Sequence, residues 1–438
     1  MSSAAVARPE STPFWSALLT DRRIAPALGL GFTSGIPFLL VYSTQSAWLS
    51  DAGISLATIG LLSELTLAYK FKFLWAPFLD RYDPPLLGRT LGRRRAWIIV
   101  AQLGVMATLA GIAFGDPAHR LAWTVVFSVA LGFAGATLDL VIDGWRITSV
   151  RPPEKQAVLS SWTEIGWRVG NLAAGAGALF LADRVGWRAA YLCMGALMLP
   201  GMVAAVIAPE PASDKGPHLA REGFFETVWA PIRELLLRLG RSAPVILLLV
   251  AGFRMPGYIA SAMAVPLFKH QGFSNTDIAT VTKLFGFWIA LGGTFAAGAL
   301  IPRIGMLPSL LIGTVAGSTS HLSLAYLAAH GGDGGTAFWT FAVTVSIDGF
   351  ASVVLITYMS TLASTDHAAS QFGLLTSLCA FPGSVLAGFS GFAIERTGFT
   401  WFFVGTSLIG LPVALLAVYV WAKVGLPDET EPRTIVAH

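Results

Sequence analysis

Long apolar runs separated by short polar connections set the pattern of this chain. Twelve stretches of about 20–25 residues have the length that a bilayer's hydrocarbon core asks of a helix. They cover 24–48, 57–79, 96–114, 121–149, 159–182, 187–208, 244–268, 277–301, 307–329, 336–363, 372–394 and 401–423. The first, fourth and tenth are long enough to tilt or to break at glycine. The longest polar connection, 209–243, opens Pro-Glu-Pro-Ala-Ser-Asp-Lys-Gly-Pro, which cannot be helical. Beyond it, Phe225, Val228, Trp229, Ile232, Leu235, Leu236 and Leu239 recur at helical spacing, with Arg233, Glu234 and Arg238 between them. That spacing predicts an amphipathic helix on the membrane surface, the alternative being a solvated linker helix. The predicted organisation is a tail (1–23), six helices (24–208), a linker (209–243), six more helices (244–423) and a second tail (424–438).

The two sets of six echo each other. Gly53-Ile-Ser-Leu-Ala-Thr-Ile-Gly follows the first stretch, and Gly272-Phe-Ser-Asn-Thr-Asp-Ile-Ala follows the seventh. Asp183-Arg184-Val185-Gly186-Trp187 matches Glu395-Arg396-Thr397-Gly398-Phe399, and Gly31-Phe32 matches Gly252-Phe253. Three collinear matches predict a parallel duplication, a plan in which solute binds between the halves.

Composition agrees with a membrane protein. Only 12% of residues are charged, 54% are hydrophobic and mean hydropathy is +0.66. A soluble chain carries about 25% charged residues. The net charge of +4 does not point to nucleic acid, because the basic residues concentrate in short loops. About 18 of the 29 lie in one set of connections and tails and about five in the other, which predicts that both termini face the cytoplasm. Cys193 and Cys379 fall inside apolar stretches, so neither a disulfide nor a metal site is expected, nor any cofactor. No cleavable signal is expected in 1–21.

Charges inside the apolar stretches are the candidate chemistry. Asp139, Asp143 and Arg146 lie four and three residues apart, hence on one helical face. Each costs roughly 2.5–3.5 kcal/mol to insert, so such groups face a protein interior or a watery cavity. A polar pathway lined by this helix is the expectation. Asp143 and Arg146 read as a structural pair near the cytoplasmic end, with Asp139 deeper. Glu164 and Arg168, four apart, are placed to pair with each other. Glu64 and Lys283 occupy equivalent positions in the two halves and are candidates for a pair between them. Lys70 lies about ten residues inside its stretch, too deep for easy snorkelling at ~1.5 Å per residue. The chain lacks His-Glu-x-x-His and Gly-x-Ser-x-Gly, which disfavours an intramembrane enzyme, and it lacks the phosphate loop of an ATP-driven pump.

Ala76-Pro77-Phe78-Leu79-Asp80-Arg81, followed by Gly92-Arg93-Arg94-Arg95, resembles the signature loop of the major facilitator superfamily, with Pro77 in place of the leading glycine. The resemblance implies that Asp80, Arg81, Arg93, Arg94 and Arg95 form a gate that locks the halves; for the arginine triplet, mere inside-positive charge is an equal alternative. Closer still is the likeness to AmpG-type muropeptide permeases. It is carried by Gly31-Phe32-Thr33-Ser34-Gly35-Ile36-Pro37, Tyr69-Lys70-Phe71-Lys72-Phe73-Leu74-Trp75-Ala76-Pro77 and Ala136-Thr137-Leu138-Asp139-Leu140-Val141-Ile142-Asp143-Gly144-Trp145-Arg146. Leu138 stands where that family more often has glutamine, and acetyl-CoA transporters share the two-aspartate stretch.

The resemblance implies proton-driven import of anhydromuropeptides from periplasm to cytoplasm, across a bacterial inner membrane, by a monomer of twelve helices. Another anionic solute, such as acetyl-CoA or a siderophore, is the alternative. Such a carrier needs a carboxylate that takes up and releases a proton in its working range, which burial promotes. Asp139, Asp143, Glu64, Glu164 and Asp348 are the candidates. Cations that meet an anionic sugar-peptide would be Lys70, Lys72, Arg168, Arg254 and Lys283, with Tyr42, Asn171 and Gln371 as further contacts.

Overall fold

The computed structural model describes residues 20–55, 58, 67–84, 87–150, 153–211, 224–274, 277–278, 281, 285–331 and 334–426. Every regular element among them is helical. Among the described residues, ten segments are long and apolar enough to cross a membrane. One of them, Pro153–Ile207, covers both the fifth and sixth expected stretches. The second expected stretch lies partly outside the described residues, so the count of twelve remains an expectation.

The first span consists of α1 (Ile24–Val41) and α2 (Ser43–Asp51), with the break at Tyr42 rather than at a glycine. Next come α3 (Leu67–Phe71), a 3₁₀ turn at Lys72–Leu74 and α4 (Ala76–Arg81). Pro77, in the first turn of α4, has no N–H to continue a helix from the preceding turn, so the chain re-enters helix there. This interruption is what sets Lys72 apart from a regular helical face. A short α5 (Leu87–Leu91) leads to α6 (Arg93–Ala113) and α7 (Leu121–Ser149). The 29 residues of α7 form one unbroken helix, about 43 Å long at 1.5 Å per residue, longer than the roughly 30 Å hydrocarbon core.

After α8 (Pro153–Leu172), a π-turn over Ala173–Gly177 leads into α9 (Ala178–Ala196), which turns at Gly186, and α10 (Leu199–Ile207). The linker holds α11 (Phe224–Leu239). The second half runs through α12 (Ala243–Phe253), α13 (Met255–His270), α14 (Gly286–Ile304), α15 (Met306–Thr319), α16 (His321–His330), α17 (Gly334–Leu362), α18 (Ala368–Ala387) and α19 (Ser390–Tyr419). Arg254 sits at the break between α12 and α13, just before Pro256. The seventh span thus breaks too, nearer its middle than the first does at Tyr42.

The duplication is written in the backbone. Gly186 (φ 83°, ψ 161°) and Gly398 (φ 74°, ψ 165°) turn the chain at matching points. Gly92 (φ 85°, ψ 165°) and Gly305 (φ 90°, ψ 167°) do the same at the starts of α6 and α15. These angles are accessible essentially to glycine alone. In the second pair, Ile301-Pro302-Arg303-Ile304-Gly305 is legible in the sequence only as a degenerate counterpart of the first-half loop, yet the turn has kept its shape.

Close approach of backbones fixes the layers. A Cβ at Gly166 would lie 2.2 Å from the Leu28 carbonyl oxygen, and one at Gly170 2.0 Å from that of Phe32, so α8 packs directly on α1. In the other half, a Cβ at Gly293 would lie 1.9 Å from the Ser346 carbonyl oxygen, bringing α14 onto α17. Small residues at these seams are how membrane helices gain contact without a hydrophobic driving force. Outward, Trp288, Trp339, Trp401 and Phe392 are exposed, as expected of surfaces that meet lipid rather than water.

Candidate functional site

Polar side chains meet in a column between the halves. On α7, the carboxylate of Asp139 accepts hydrogen bonds from Lys72 Nζ and, at 3.0 Å, from Ser34 Oγ of α1. One turn further, Asp143 Oδ1 accepts from Arg146 Nη2 at 3.0 Å. Arg146 also donates to Ser160 Oγ of α8 (2.6 Å) and Ser360 Oγ of α17 (2.9 Å), and lies 5.1 Å over the Phe372 ring. That guanidinium therefore binds both halves together. Glu164 pairs with Arg168 at 3.1 Å and accepts from Ser352 Oγ at 3.5 Å. Arg254 Nη2 donates to Asp348 Oδ1 at 2.9 Å and its guanidinium lies 5.8 Å from the Tyr258 ring.

Exposure along α7 shows which way the column opens. The side chains of Arg146, Asp143 and Asp139 are 1%, 16% and 25% exposed, rising with distance from the end of the bundle that carries the linker. On α17 the sequence of partners runs the same way: Leu362 and Ser360 are buried at the linker end, while Asp348, 12 residues beyond Ser360, is 46% exposed. At about 1.5 Å per residue those two lie roughly 18 Å apart along the helix. The structure is closed at the linker end and admits solvent to the deeper charges.

The closure has a named seal. Asp80 accepts from the backbone N–H groups of Ser370 (2.8 Å) and Ala369 (3.2 Å) and from Ser370 Oγ. These are orphan donors in the first turn of α18, where a carboxylate is favoured by the helix dipole. Arg94 Nη1 holds the same carboxylate at 2.8 Å, and both groups are buried. Arg93 bonds the Asp80 carbonyl and, at 2.8 Å, Asp83. Arg95 turns away from the seal: it pairs with Glu210 at 3.4 Å, whose carboxylate also accepts from the Arg94 (2.9 Å) and Arg95 (3.2 Å) backbone N–H groups and so caps α6. The three arginines thus have three different jobs.

The remaining candidates fall in several places. Lys70 is half-buried on α3, Tyr42 is exposed at the break in the first span, and Asn171 bonds its own helix at the Trp167 carbonyl (3.1 Å). Gln371 lies elsewhere than a solute cavity: it is fully buried and its amide is bound to the linker helix. Glu64 and Lys283 lie outside the described residues. Serines 34, 160, 352, 360 and 370, which join the charges to neighbouring helices, were invisible to a search for charge. Only their small size and hydroxyls on apolar helices could have marked them.

The Major Facilitator Superfamily model matches residues 27–388. This chain belongs to that superfamily, among its AmpG-type transporters. The "Anhydromuropeptide permease" of Escherichia coli K12 is 31% identical over 411 residues, covering 90% of this chain and 79% of the relative. "Putative transporter AmpG 4" of Rickettsia felis is 27% identical over 423 residues, covering 93% and 99%. Among solved structures, the proton:xylose symporter XylE bound to 6-bromo-6-deoxy-D-glucose superposes with a TM-score of 0.67 over 94% of this chain and 97% of its own, at 14% identity. That likeness shows the fold. The chain is a multi-pass membrane transporter and not an enzyme.

Proposed function

We propose that this transporter imports anhydromuropeptides, drawing the energy from protons that move with the solute across a bacterial inner membrane. The observation that carries the solute is the 31% identity to the E. coli permease over most of both chains. Direction rests on the basic residues gathered at the linker end, which the positive-inside bias assigns to the cytoplasm. The described state, sealed at the linker end, is then closed to the cytoplasm.

Asp139 is the proposed proton carrier. Its carboxylate is bound by a cation, Lys72, that can be released when the carboxylate is neutralised; deeper exposure gives it access to the periplasmic side. Asp143, held by Arg146 inside the seal, serves structure. Arg254, in the opposite half, is the proposed partner for an anionic group of the solute, with Asp348 as the counter-ion it gives up. Binding of such a solute would exchange one ion pair for another and cost little desolvation.

Uptake of radiolabelled anhydromuropeptide into vesicles, with and without an imposed proton gradient, tests this directly. Accumulation above equilibrium only with the gradient is the expected result. Equal uptake under both conditions would sink the coupling, and no uptake at all would sink the solute.

A further inference from the structure

The linker helix does more than connect the halves. Leu235 and Leu239 of α11 are buried in the apolar core of the second half, together with Leu249, Tyr358 and Phe372. The amide of Gln371, at the start of α18, uses all of its capacity on this region. Its Nε2 donates to the Pro231 carbonyl (3.0 Å) and to Glu234, and its Oε1 accepts from the Ser364 N–H (2.7 Å) and Arg238 Nη2 (3.0 Å). Arg238 also donates to the carbonyl of Leu362, the last residue of α17, where a cation meets the negative end of a helix. On the first turn of α11, Thr227 Oγ1 accepts from Arg81 Nη1 of the first half at 2.9 Å.

These contacts are adjacent to the seal. Arg81 follows Asp80, and Gln371 follows Ser370. Opening the linker end must separate Asp80 from Ser370, and α11 grips the next residue on each side. Because α11 is rooted in the second half's core, what parts is its contact with the first half: the Thr227–Arg81 bond and the packing of Val228 and Ile232 beside Phe73 and Pro77.

We propose that α11 is a strap that keeps the linker end closed: it is anchored in the second half, reaches across to Arg81 through Thr227, and is held at the angle that allows this by Gln371. Gln371 is a positioning residue, acting through the strap rather than on solute. The inference does not depend on which solute is carried.

The test uses the full-length protein in nanodiscs without solute or gradient. Spin labels at Arg89→Cys on α5 and Arg303→Cys on α14, both exposed at the linker end, report the separation of the halves, with Cys193 replaced by Ser. Thr227→Val, nearly isosteric, is expected to raise the ratio of long to short separations about fivefold, the worth of one net hydrogen bond. Gln371→Ala is expected to do at least as much. The double variant should exceed the larger single effect by little, because both act on one contact. An unchanged distribution in Thr227→Val overturns the strap, whether or not Gln371→Ala folds. Effects that simply add would make Gln371 a local support of α18 and overturn its positioning role.

Discussion

The two halves turn at the same glycines yet hold different chemistry. In the first, Lys72–Asp139, Asp143–Arg146 and Glu164–Arg168 gather on α7, its neighbour α8 and the turn before α4. The second contributes Arg254–Asp348 at a helix break. Among the described residues their closest backbone approaches fall differently as well, α1 on α8 in one half and α14 on α17 in the other, while the equivalent pairs meet through a side chain, Tyr258 at Gly383 and Tyr69 at Gly135. Turn geometry depends on a few backbone angles that only glycine supplies, so it survives divergence. Side-chain chemistry depends on each half's own partners and does not. On the reading proposed above, the first half carries coupling and the second meets the solute.

The largest effect that could break this division comes from exchanging the two carboxylates' roles. Asp139→Asn should abolish gradient-driven accumulation in vesicles while leaving the protein folded, whereas Asp348→Asn should keep uphill uptake. If Asp348→Asn uncouples and Asp139→Asn does not, the assignment is reversed. Next in size, Arg254→Ala should raise the half-saturation concentration of an anionic solute roughly tenfold or more, as loss of a charge-assisted contact of about 1.5–3 kcal/mol predicts. An unchanged value in concentration-dependent uptake would make Arg254 purely structural.

Much of this was readable beforehand because it depends on one-dimensional pattern. Apolar runs marked most spans, and the spacing of Asp139, Asp143 and Arg146 placed them on one face. Gly186 and Gly398 could be matched by their flanking residues. Other features depend on contacts between distant segments. No local signal showed that Asp80 would cap α18, or that Gln371 would turn to Pro231 and Glu234 instead of a cavity. The break at Tyr42 instead of a glycine was likewise out of reach, and so was the separate fate of Arg95, since adjacent arginines look alike until Glu210 approaches.

The seams offer a finer comparison. Gly170→Ala and Gly293→Ala each place a methyl about 2 Å from a carbonyl oxygen, and each should cost about 1–3 kcal/mol by forcing two helices apart. Only Gly170→Ala also displaces α1, which carries Ser34 to Asp139, so it alone should impair coupled uptake beyond its effect on stability. Gly405→Ala has open space around it and should be neutral or stabilising by about 0.5–1 kcal/mol. Thermal unfolding of the three variants in one detergent, alongside uptake, checks the order. Equal impairment of coupling by Gly170→Ala and Gly293→Ala would argue against a first-half location.

Alanine at the turn glycines tests the duplication itself. Gly186 and Gly398 both sit at positive φ with nothing within 4 Å of an added Cβ. Alanine at either should therefore pay only the backbone penalty, about 1–3 kcal/mol, equal in the two halves and additive when combined. Gly92 and Gly305 share the same angles but not the same surroundings. A Cβ at Gly92 would lie 2.5 Å from the Glu210 carboxyl carbon, while at Gly305 the nearest atom, on Pro308, is 3.8 Å away. Gly92→Ala should thus cost more than Gly305→Ala, because it also pushes Glu210 from the α6 cap. Equal losses at 92 and 305, measured by unfolding, would mean that the cap adds no stability.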